Sequence, residues 1–342
     1  MSSQFHNYDI EKMTPTEIYG EVLTQMGKAR EEIVTLTADL AKSTKTKKFA
    51  SEFPERFFNV GIAEQNLFGI ASGMALAGFL PFVSTFAVFA SLRASEQIRT
   101  DICYQNLNCK IIATHSGLSF GQAGTTHHCT EDMGVMRSFA NMTVIAPADG
   151  YEIANAVISS ADYPGPVYIR IGREFERPVH KHHEYGYEIG KAITLHEGSD
   201  VTVIACGTGV LHAEKAARIL NENRGIKVKV IDMHTIKPLD QKAVLEAIEE
   251  TGKIITVENH SIIGGLGSAV AETIAESGKL CHLKRLGVPD SFSGVGHPEE
   301  LQKYYSIDTE GIISAISEMV GETPEVDKET KLALNDDWKN VV

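Results

Sequence analysis

The sequence predicts an α/β protein made of two consecutive layered domains, each built around a mostly parallel sheet. Short apolar runs rich in β-branched residues alternate along the chain with helical patterns, as they do where helices connect and cover parallel strands. The length of 342 residues also fits about two domains of ordinary size. A polar stretch rich in His, Glu, Gly and Lys separates two sets of alternating elements, so we expect a domain boundary there.

The first predicted domain spans residues 14–178. Its apolar runs and helical stretches follow one another in the order expected for a parallel sheet with connecting helices. The predicted elements are helix Thr16–Glu32, strand Ile33–Thr37, a helix that starts near Glu64, strand Phe82–Thr85, helix Ala90–Asn106, strands Lys110–Thr114 and Thr143–Ile145, helix Gly150–Ala161 and strand Val167–Ile171.

The second predicted domain spans residues 200–321. It follows residues 179–199, which show no sustained period and are predicted to form a surface linker. Residues 1–13 are predicted to form an N-terminal tail, and the acidic residues 322–342 a C-terminal tail or a strap on a partner. The elements predicted in the second domain are strands that begin at Val201, Val228 and Lys253 and a closing helix over Thr309–Met319.

Composition and charge argue against several classes of protein. The formal net charge of −13, with no basic cluster longer than Lys45–Lys48, argues against a nucleic-acid surface. The 5 cysteines are odd in number and show no C-x-x-C spacing, so neither a disulfide framework nor a zinc site is expected. The chain has no uncharged apolar run of about 18 residues and no signal-peptide layout at its start, so we expect no membrane contact and a reducing, cytoplasmic location.

The segment around Glu64 is the most informative part of the chain. This acid follows the strand-like segment Phe57–Val60 and opens a helix of small residues, a position that predicts burial. A buried carboxyl group without a partner has a raised pKa and can share a proton with a ring nitrogen. Phe86 and Phe89 are three residues apart, so on a helix they would share a face and offer that ring an aromatic platform. The alternative is an ordinary helix start with a satisfied glutamate and two core phenylalanines.

A second cluster of polar residues lies in Thr114–Gly117 and Gly121–His128. Its three histidines could suggest a metal site, but no carboxylate or cysteine stands at a helical spacing from them before Cys129 and Glu131. Glycine-rich backbone with polar side chains is more typical of a loop at the carboxyl ends of parallel strands, where ligands bind. We therefore expect an anionic or polyhydroxyl substrate here, and no metal ligands in this chain.

The glycine-rich turn Gly264–Ser268 stands between a predicted strand and a helix, where helix N-terminal amides can bind an anion. Its spacing differs from the G-x-G-x-x-G of dinucleotide-binding folds, and no acid follows at the distance that those folds require. A structural turn is therefore favoured over nucleotide binding.

The Glu64 segment, together with the S-T-F segment that precedes Phe89, resembles the thiamine-diphosphate-dependent transketolase family, and the likeness covers nearly the whole chain. In that family the corresponding glutamate protonates N1′ of the aminopyrimidine, so the resemblance implies this role for Glu64. It also implies that Phe89 stacks on the pyrimidine ring, that Phe86 lines the same pocket and that Asp39 lies close to the cofactor.

The polar loop matches the family segments T-H-D-S and G-x-D-G-x-T-H-Q in spacing. The resemblance implies that His115 contacts a substrate phosphate and that His127 donates to the carbonyl and hydroxyl oxygens of the sugar, as a stabiliser of a developing alkoxide does. It implies that Ser43 and Arg173 also bind phosphate, and a guanidinium suits this because it can hold an oxyanion with two hydrogen bonds. The second domain is implied to be a structural and dimerisation layer.

The segment that holds Mg²⁺ in this family, a G-D-G motif followed further on by Asn, is absent from the sequence. Mg²⁺ needs oxygen ligands in near-octahedral geometry, so the resemblance implies that a partner chain with the diphosphate-binding domain supplies them. The chain then looks like the C-terminal subunit of a split transketolase, working in an α2β2 heterotetramer with active sites at subunit interfaces. The implied reaction transfers a two-carbon ketol unit from a ketose to an aldose, with thiamine diphosphate and Mg²⁺ as cofactors.

Several positions near the implied substrate site depart from the family pattern. They are Ala123 in place of an aspartate that contacts a sugar hydroxyl, His128 in place of a glutamine, Glu17 in place of a phosphate-binding arginine, and Leu92 in place of a Tyr or Arg. These departures predict an unusual ketose, phosphorylated or carrying another anionic group. Two other interpretations stay open: the β subunit of a 2-oxo-acid dehydrogenase E1, which the histidine and phosphate-binding residues disfavour, and a non-catalytic scaffold or regulatory homologue.

Overall fold

The fold is that of a computed structural model, which describes residues 10–173, 177–182 and 185–322. Most of the predicted tail 1–13 and nearly all of the predicted tail 322–342 lie outside the described residues. The described chain forms two mostly parallel sheets with intervening helices, which confirms the predicted α/β class. Within the described residues, the structure contains no helix with the length and apolarity needed to span a bilayer.

The strands and helices follow the predicted alternation. The strands are β1 (Ile33–Thr37), β2 (Phe57–Asn59), β3 (Leu80–Phe86), β4 (Lys110–Thr114), β5 (Thr143–Ile145), β6 (Val167–Arg170), β7 (Ile193–His196), β8 (Val201–Ala205), β9 (Val228–Asp232), β10 (Thr235–Lys237), β11 (Lys253–Ser261) and β12 (His282–Val288). The α-helices are α1 (Pro15–Ala29), α2 (Lys47–Glu52), α3 (Glu64–Leu76), α4 (Ser95–Gln97), α5 (Asp132–Ser138), α6 (Gly150–Asp162), α7 (Gly209–Arg224), α8 (Gln241–Thr251), α9 (Leu266–Ser277), α10 (Pro298–Tyr304) and α11 (Thr309–Val320).

The first sheet has seven strands in the order β10-β5-β6-β4-β3-β1-β2. All neighbours are parallel except β10, which runs antiparallel to β5 and pairs Thr235 with Ile145. Strand β10 follows the strands β8 and β9 of the second sheet, so the later part of the chain adds an edge strand to the earlier sheet. The two domains are therefore tied together by backbone hydrogen bonds as well as by side chains.

The second sheet has five strands in the order β12-β11-β8-β9-β7. Its strands are parallel except β7, which pairs antiparallel with β9. Strand β7 lies inside the stretch 179–199 that the sequence predicts as a linker, and His180 in the same stretch is buried. A strand of four residues at a sheet edge is too short to produce a clear alternation, which explains why the sequence did not reveal it.

Two helices differ from their predicted form. Helix α1 begins one residue earlier than predicted, because the Thr14 N–H and hydroxyl both donate to the Glu17 carboxylate, at 3.0 and 2.9 Å, in a capping box. The single helix predicted over Ala90–Asn106 is instead divided into a π-helical segment Phe89–Arg93, the short α4 and a second π-helical segment Ile98–Cys103. Wide turns of this kind occur often at functional sites.

The glycine-rich turn Gly264–Ser268 is a structural turn, as the sequence favours. The N–H groups of Leu266 and Gly267, at the start of α9, both donate to the carboxylate of Glu258 at 2.8 Å. Burial raises the pKa of this carboxyl to about 7 despite those two N–H donors. A Cβ at Gly265 would lie 2.0 Å from a Glu258 oxygen, so the glycine gives room to the protein's own acid at the place where a phosphate could otherwise bind.

Candidate active site

The candidate active site lies along the carboxyl edge of the first sheet. Asp39 follows β1, the start of α3 follows β2, Phe89 follows β3, His115 follows β4 and Arg173 follows β6. These strands are parallel neighbours, so the segments after them gather at one edge, which is where open α/β sheets bind ligands.

Glu64 is the first residue of α3, and its side chain is only 2% exposed, which confirms its predicted burial. Its Oε2 atom accepts a hydrogen bond from Nη1 of Arg93 at 2.9 Å. The Arg93 guanidinium also lies over the ring of Phe89, with 4.4 Å from Cζ to the ring centroid. The acid therefore has a cationic partner that the sequence interpretation missed. The one signal for it was the spacing of four residues between Phe89 and Arg93, which brings side chains together on a helix.

Phe86 and Phe89 are neighbours, but not because they share a helical face. Phe86 is the last residue of β3, whereas Phe89 begins the π-helical segment. The two rings are nevertheless stacked, with centroids 5.7 Å apart and planes 20° apart. The junction between strand and helix thus brings together the two rings that the sequence places side by side.

His115 is a buried histidine in a left-handed backbone conformation, with φ of 59°. Its ring stacks on Phe86 with centroids 3.9 Å apart, and Nδ1 lies 2.9 Å from the hydroxyl of Thr114. Burial, followed by electrostatic interactions with Arg173 and His127, lowers the pKa of His115 to about 3. The imidazole is therefore neutral at physiological pH, and it can offer a phosphate one N–H but no positive charge.

His127 is half-buried and lies between two phenylalanines. Its ring centroid is 5.6 Å from that of Phe89 and 5.5 Å from that of Phe120. Phe120 also meets His115 at 5.0 Å, and the Cζ atom of Arg173 lies 4.5 Å from the Phe120 ring. The sequence interpretation missed Phe120, because a single aromatic residue in a polar loop carries no pattern. This ring joins three of the predicted substrate residues.

The two predicted residues after β1 lie in the segment between β1 and α2. Asp39 is exposed, has φ of 59°, and its N–H donates to Oδ1 of Asn59 at 2.9 Å. Ser43 is half-buried in the turn that leads to α2. Glu17 meets the same turn, since Nζ of Lys45 donates to it at 3.0 Å. The Thr14 N–H and Lys45 together lower the pKa of Glu17, so this acid is already used to cap α1 and hold the turn.

The loop that carries His127 is held by the second domain. The Thr125 hydroxyl donates to the carbonyl of Ser293 at 2.8 Å, and the Gln122 amide lies 2.9 Å from Nδ1 of His297. Among the positions that depart from the family pattern, the ring of His128 is buried and its Nε2 lies 3.1 Å from the carbonyl of Gly121. Ala123 ends the 3-10 turn Gly121–Ala123 in this loop, and Leu92, on the π-helical segment, is 49% exposed.

A buried ion pair fixes the base of the same loop. Nε of Arg170 donates to Asp132 at 2.9 Å, and its Nη atoms donate to the carbonyls of Asn259 and Cys129. The Asn259 side chain in turn accepts a hydrogen bond from the N–H of Leu118 at 3.1 Å. The second sheet thus reaches the loop between the two histidines, so the loop's position depends on both domains.

Comparisons with known proteins agree with this architecture. Residues 11–177 match the transketolase pyrimidine binding domain, and residues 190–312 match the transketolase C-terminal domain. Fold and sequence therefore define a two-domain α/β protein of the thiamine-diphosphate-dependent class. The chain belongs to the transketolase family.

Several relatives match this chain over nearly their whole length. The chain is 46% identical to a provisionally named transketolase C-terminal section of Methanocaldococcus jannaschii, over 88% of this chain and 94% of the relative. It is 38% identical to one subunit of the apulose-4-phosphate transketolase of Phocaeicola vulgatus, over 88% of this chain and 96% of that one. A split gene transketolase solved as an inactive β4 tetramer has a TM-score of 0.83 and 43% identity, and the match covers 90% of this chain and 99% of that one.

These matches confirm the prediction of a split-transketolase C-terminal subunit. They do not support the alternatives of a 2-oxo-acid dehydrogenase subunit or a scaffold.

Proposed function

We propose that this chain binds the aminopyrimidine half of thiamine diphosphate and part of the sugar in a two-chain transketolase. In the reaction, the bond between C2 and C3 of a ketose breaks and the two-carbon unit joins C1 of an aldose. The observation that carries the proposal is the buried carboxylate of Glu64, which Arg93 links to the ring of Phe89, at the same sheet edge as His115 and His127.

The residues of this pocket fit an aminopyrimidine. The planar guanidinium of Arg93 donates an N–H to Glu64 while it covers the ring of Phe89, so the pocket accommodates a flat nitrogen donor between acid and ring. When bound, thiamine diphosphate supplies the electron sink needed to cleave a bond next to a ketone. Glu64 would hold a proton at N1′, and Phe89 would fix the plane of the ring.

The substrate contacts are assigned to the side of the pocket lined by Phe120. His127 is half-buried, so a ring N–H can donate to a sugar oxygen that gains negative charge. Arg173 supplies the positive charge for a phosphate or another anionic group, and neutral His115 adds one N–H donor. Ser43 is assigned to the phosphate as well, and Asp39 to the neighbourhood of the cofactor, because both follow β1 at this edge.

The loop residues favour a modified ketose. Ala123 offers no carboxylate to a sugar hydroxyl, and Glu17 is engaged with Thr14 and Lys45 and offers a phosphate no positive charge. The apulose-4-phosphate transketolase among the relatives supports a phosphorylated sugar that differs from the usual pentose phosphates. A modified ketose phosphate is therefore our first choice of donor.

A partner chain with the diphosphate-binding domain would complete the site. We assign the Mg²⁺ ligands to that chain and propose an α2β2 assembly, with residues 14–178 and 200–321 of this chain as its two functional units. The inactive β4 tetramer of the split gene relative supports the need for such a partner. Five free thiols, four of them buried, agree with a reducing compartment, so we place the protein in the cytoplasm.

The test is turnover by the reconstituted complex with Glu64→Gln in this chain. The amide keeps the shape of the side chain but cannot exchange a proton with N1′, so kcat should fall by about 10²–10⁴-fold while the complex still assembles. Glu276→Gln, at an exposed position of α9, is the matched control and should keep full activity. If Glu64→Gln retains more than half of the wild-type kcat, the proposed role of this acid is wrong.

A further inference from the structure

Arg93 occupies the place that the proposed function assigns to the aminopyrimidine. Its side chain makes two contacts there, a hydrogen bond to the Glu64 carboxylate at 2.9 Å and a stacking contact 4.4 Å from the centre of the Phe89 ring. These are the acid and the aromatic ring on which the cofactor site depends. The Arg93 side chain therefore already contacts both the acid and the ring.

A guanidinium and an aminopyrimidine present the same kind of surface. Both are flat, both carry in-plane N–H donors, and both can lie on an aromatic face. Either group can satisfy the buried carboxylate, but an N–H donor already on the acid and a cation already on the ring leave less room for a second flat group. Arg93 and the cofactor ring are thus competitors for one pocket.

The two partners of the ion pair differ in exposure. The Glu64 side chain is 2% exposed, whereas the Arg93 side chain is 49% exposed and therefore reaches the acid from the solvent side. Arg93 is the last residue of the π-helical segment Phe89–Arg93, on a long side chain with many rotamers. It can withdraw into water without unpacking the core, while Glu64 cannot move away from it.

We propose that Arg93 is an internal occupant of the pyrimidine pocket, which satisfies Glu64 until the cofactor binds and must leave when it does. This inference rests on the proposed function of the pocket. It explains how a buried carboxylate is kept paired in the chain without its cofactor, since an unpaired buried charge is costly. It also means that the affinity for thiamine diphosphate is reduced by the fraction of the time that Arg93 fills the pocket.

The test is the affinity of the reconstituted complex for thiamine diphosphate, at saturating Mg²⁺, with Arg93→Met in this chain. Methionine keeps an unbranched side chain but cannot donate to Glu64. If Arg93 fills the pocket about nine-tenths of the time, the variant binds the cofactor about 10-fold more tightly. Arg93→Lys keeps the positive charge but lacks the planar guanidinium, so its affinity for thiamine diphosphate should lie between those of the wild type and Arg93→Met. Arg99→Met, at an exposed position of the next segment, is the control and should match the wild type.

An unchanged or weaker affinity in Arg93→Met, with the complex assembled, overturns the inference and makes Arg93 a supporting residue instead. Circular dichroism and the thermal midpoint of each variant identify a folding defect. If Arg93→Met has one, the affinity of Arg93→Lys for thiamine diphosphate is the deciding result, and it should exceed that of the wild type. If the wild-type complex itself binds no thiamine diphosphate, the proposed function fails first and this inference falls with it. The two failures are therefore distinguishable.

Discussion

Two arginine–carboxylate pairs in this molecule have the same length and opposite surroundings. Arg170 and Asp132, joined at 2.9 Å, are 5% and 0% exposed, and the remaining N–H groups of Arg170 donate to backbone carbonyls. Arg93 and Glu64 are also joined at 2.9 Å, but the arginine is 49% exposed. The first pair is closed within the chain and holds two domains together. The second is open on one side, so another group can replace the arginine there.

The closed pair should carry the larger effect on stability. Replacement Asp132→Ala leaves the buried guanidinium of Arg170 without its carboxylate, and we expect a loss of about 3–5 kcal/mol in the free energy of unfolding, measured by urea titration. The control is Asp162→Ala, which removes a surface partner of Arg30 whose side chain is 72% exposed and should cost no more than about 1 kcal/mol. Equal losses in the two variants would mean that the closed network does not hold the domains together.

Two buried histidines, one at the candidate active site and one next to the closed ion pair, make the stability of the fold depend on pH. Burial is the first cause that lowers the pKa of His115 to about 3 and that of His260, next to Asp132, to about 4. An unfolded chain binds a proton on such a histidine near the ordinary value of about 6.5, whereas the folded chain stays unprotonated until the pH is far lower. Each of these groups therefore makes the fold less stable as the pH falls below about 6.5.

The variant His115→Gln isolates this contribution at the open site. Between pH 6 and pH 4 the wild type should lose up to about 1.4 kcal/mol of unfolding free energy per pH unit more than the variant does. Urea midpoints at each pH measure the difference, and His282→Gln, at an exposed position of β12, should follow the wild type. Parallel pH profiles for the wild type and His115→Gln would contradict the neutral, buried state of His115.

The sequence predicts the fold well where the hydrophobic pattern of one continuous segment is enough to define a strand or a helix. The central strands are mostly apolar and are buried along their whole length, and β1, β4 and β6 lie within a residue of their predicted positions. The sequence also predicts the burial of Glu64 and the proximity of Phe86 to Phe89, since each stands in a short segment with its own pattern.

The features that the sequence does not predict depend on contacts between segments that are distant in the chain. Strand β10 has three residues and joins the other domain's sheet, and no local period marks such a crossing. Arg93 and Phe120 are single side chains whose roles come from where a π-helical turn and a loop place them. The N–H groups of the glycine-rich turn donate to Glu258, a residue of the preceding strand. The glycine spacing of the turn does not indicate this partner.

The decisive measurement is calorimetric binding of thiamine diphosphate with Mg²⁺ to this chain alone and to its mixture with a chain that carries the diphosphate-binding domain. The open pair at Glu64 belongs to half of a site, so we predict binding in the mixture and none by this chain alone. Binding by the single chain with the affinity of the mixture would show that the site is complete without a partner, and binding by neither would contradict the assignment of the pocket to this cofactor.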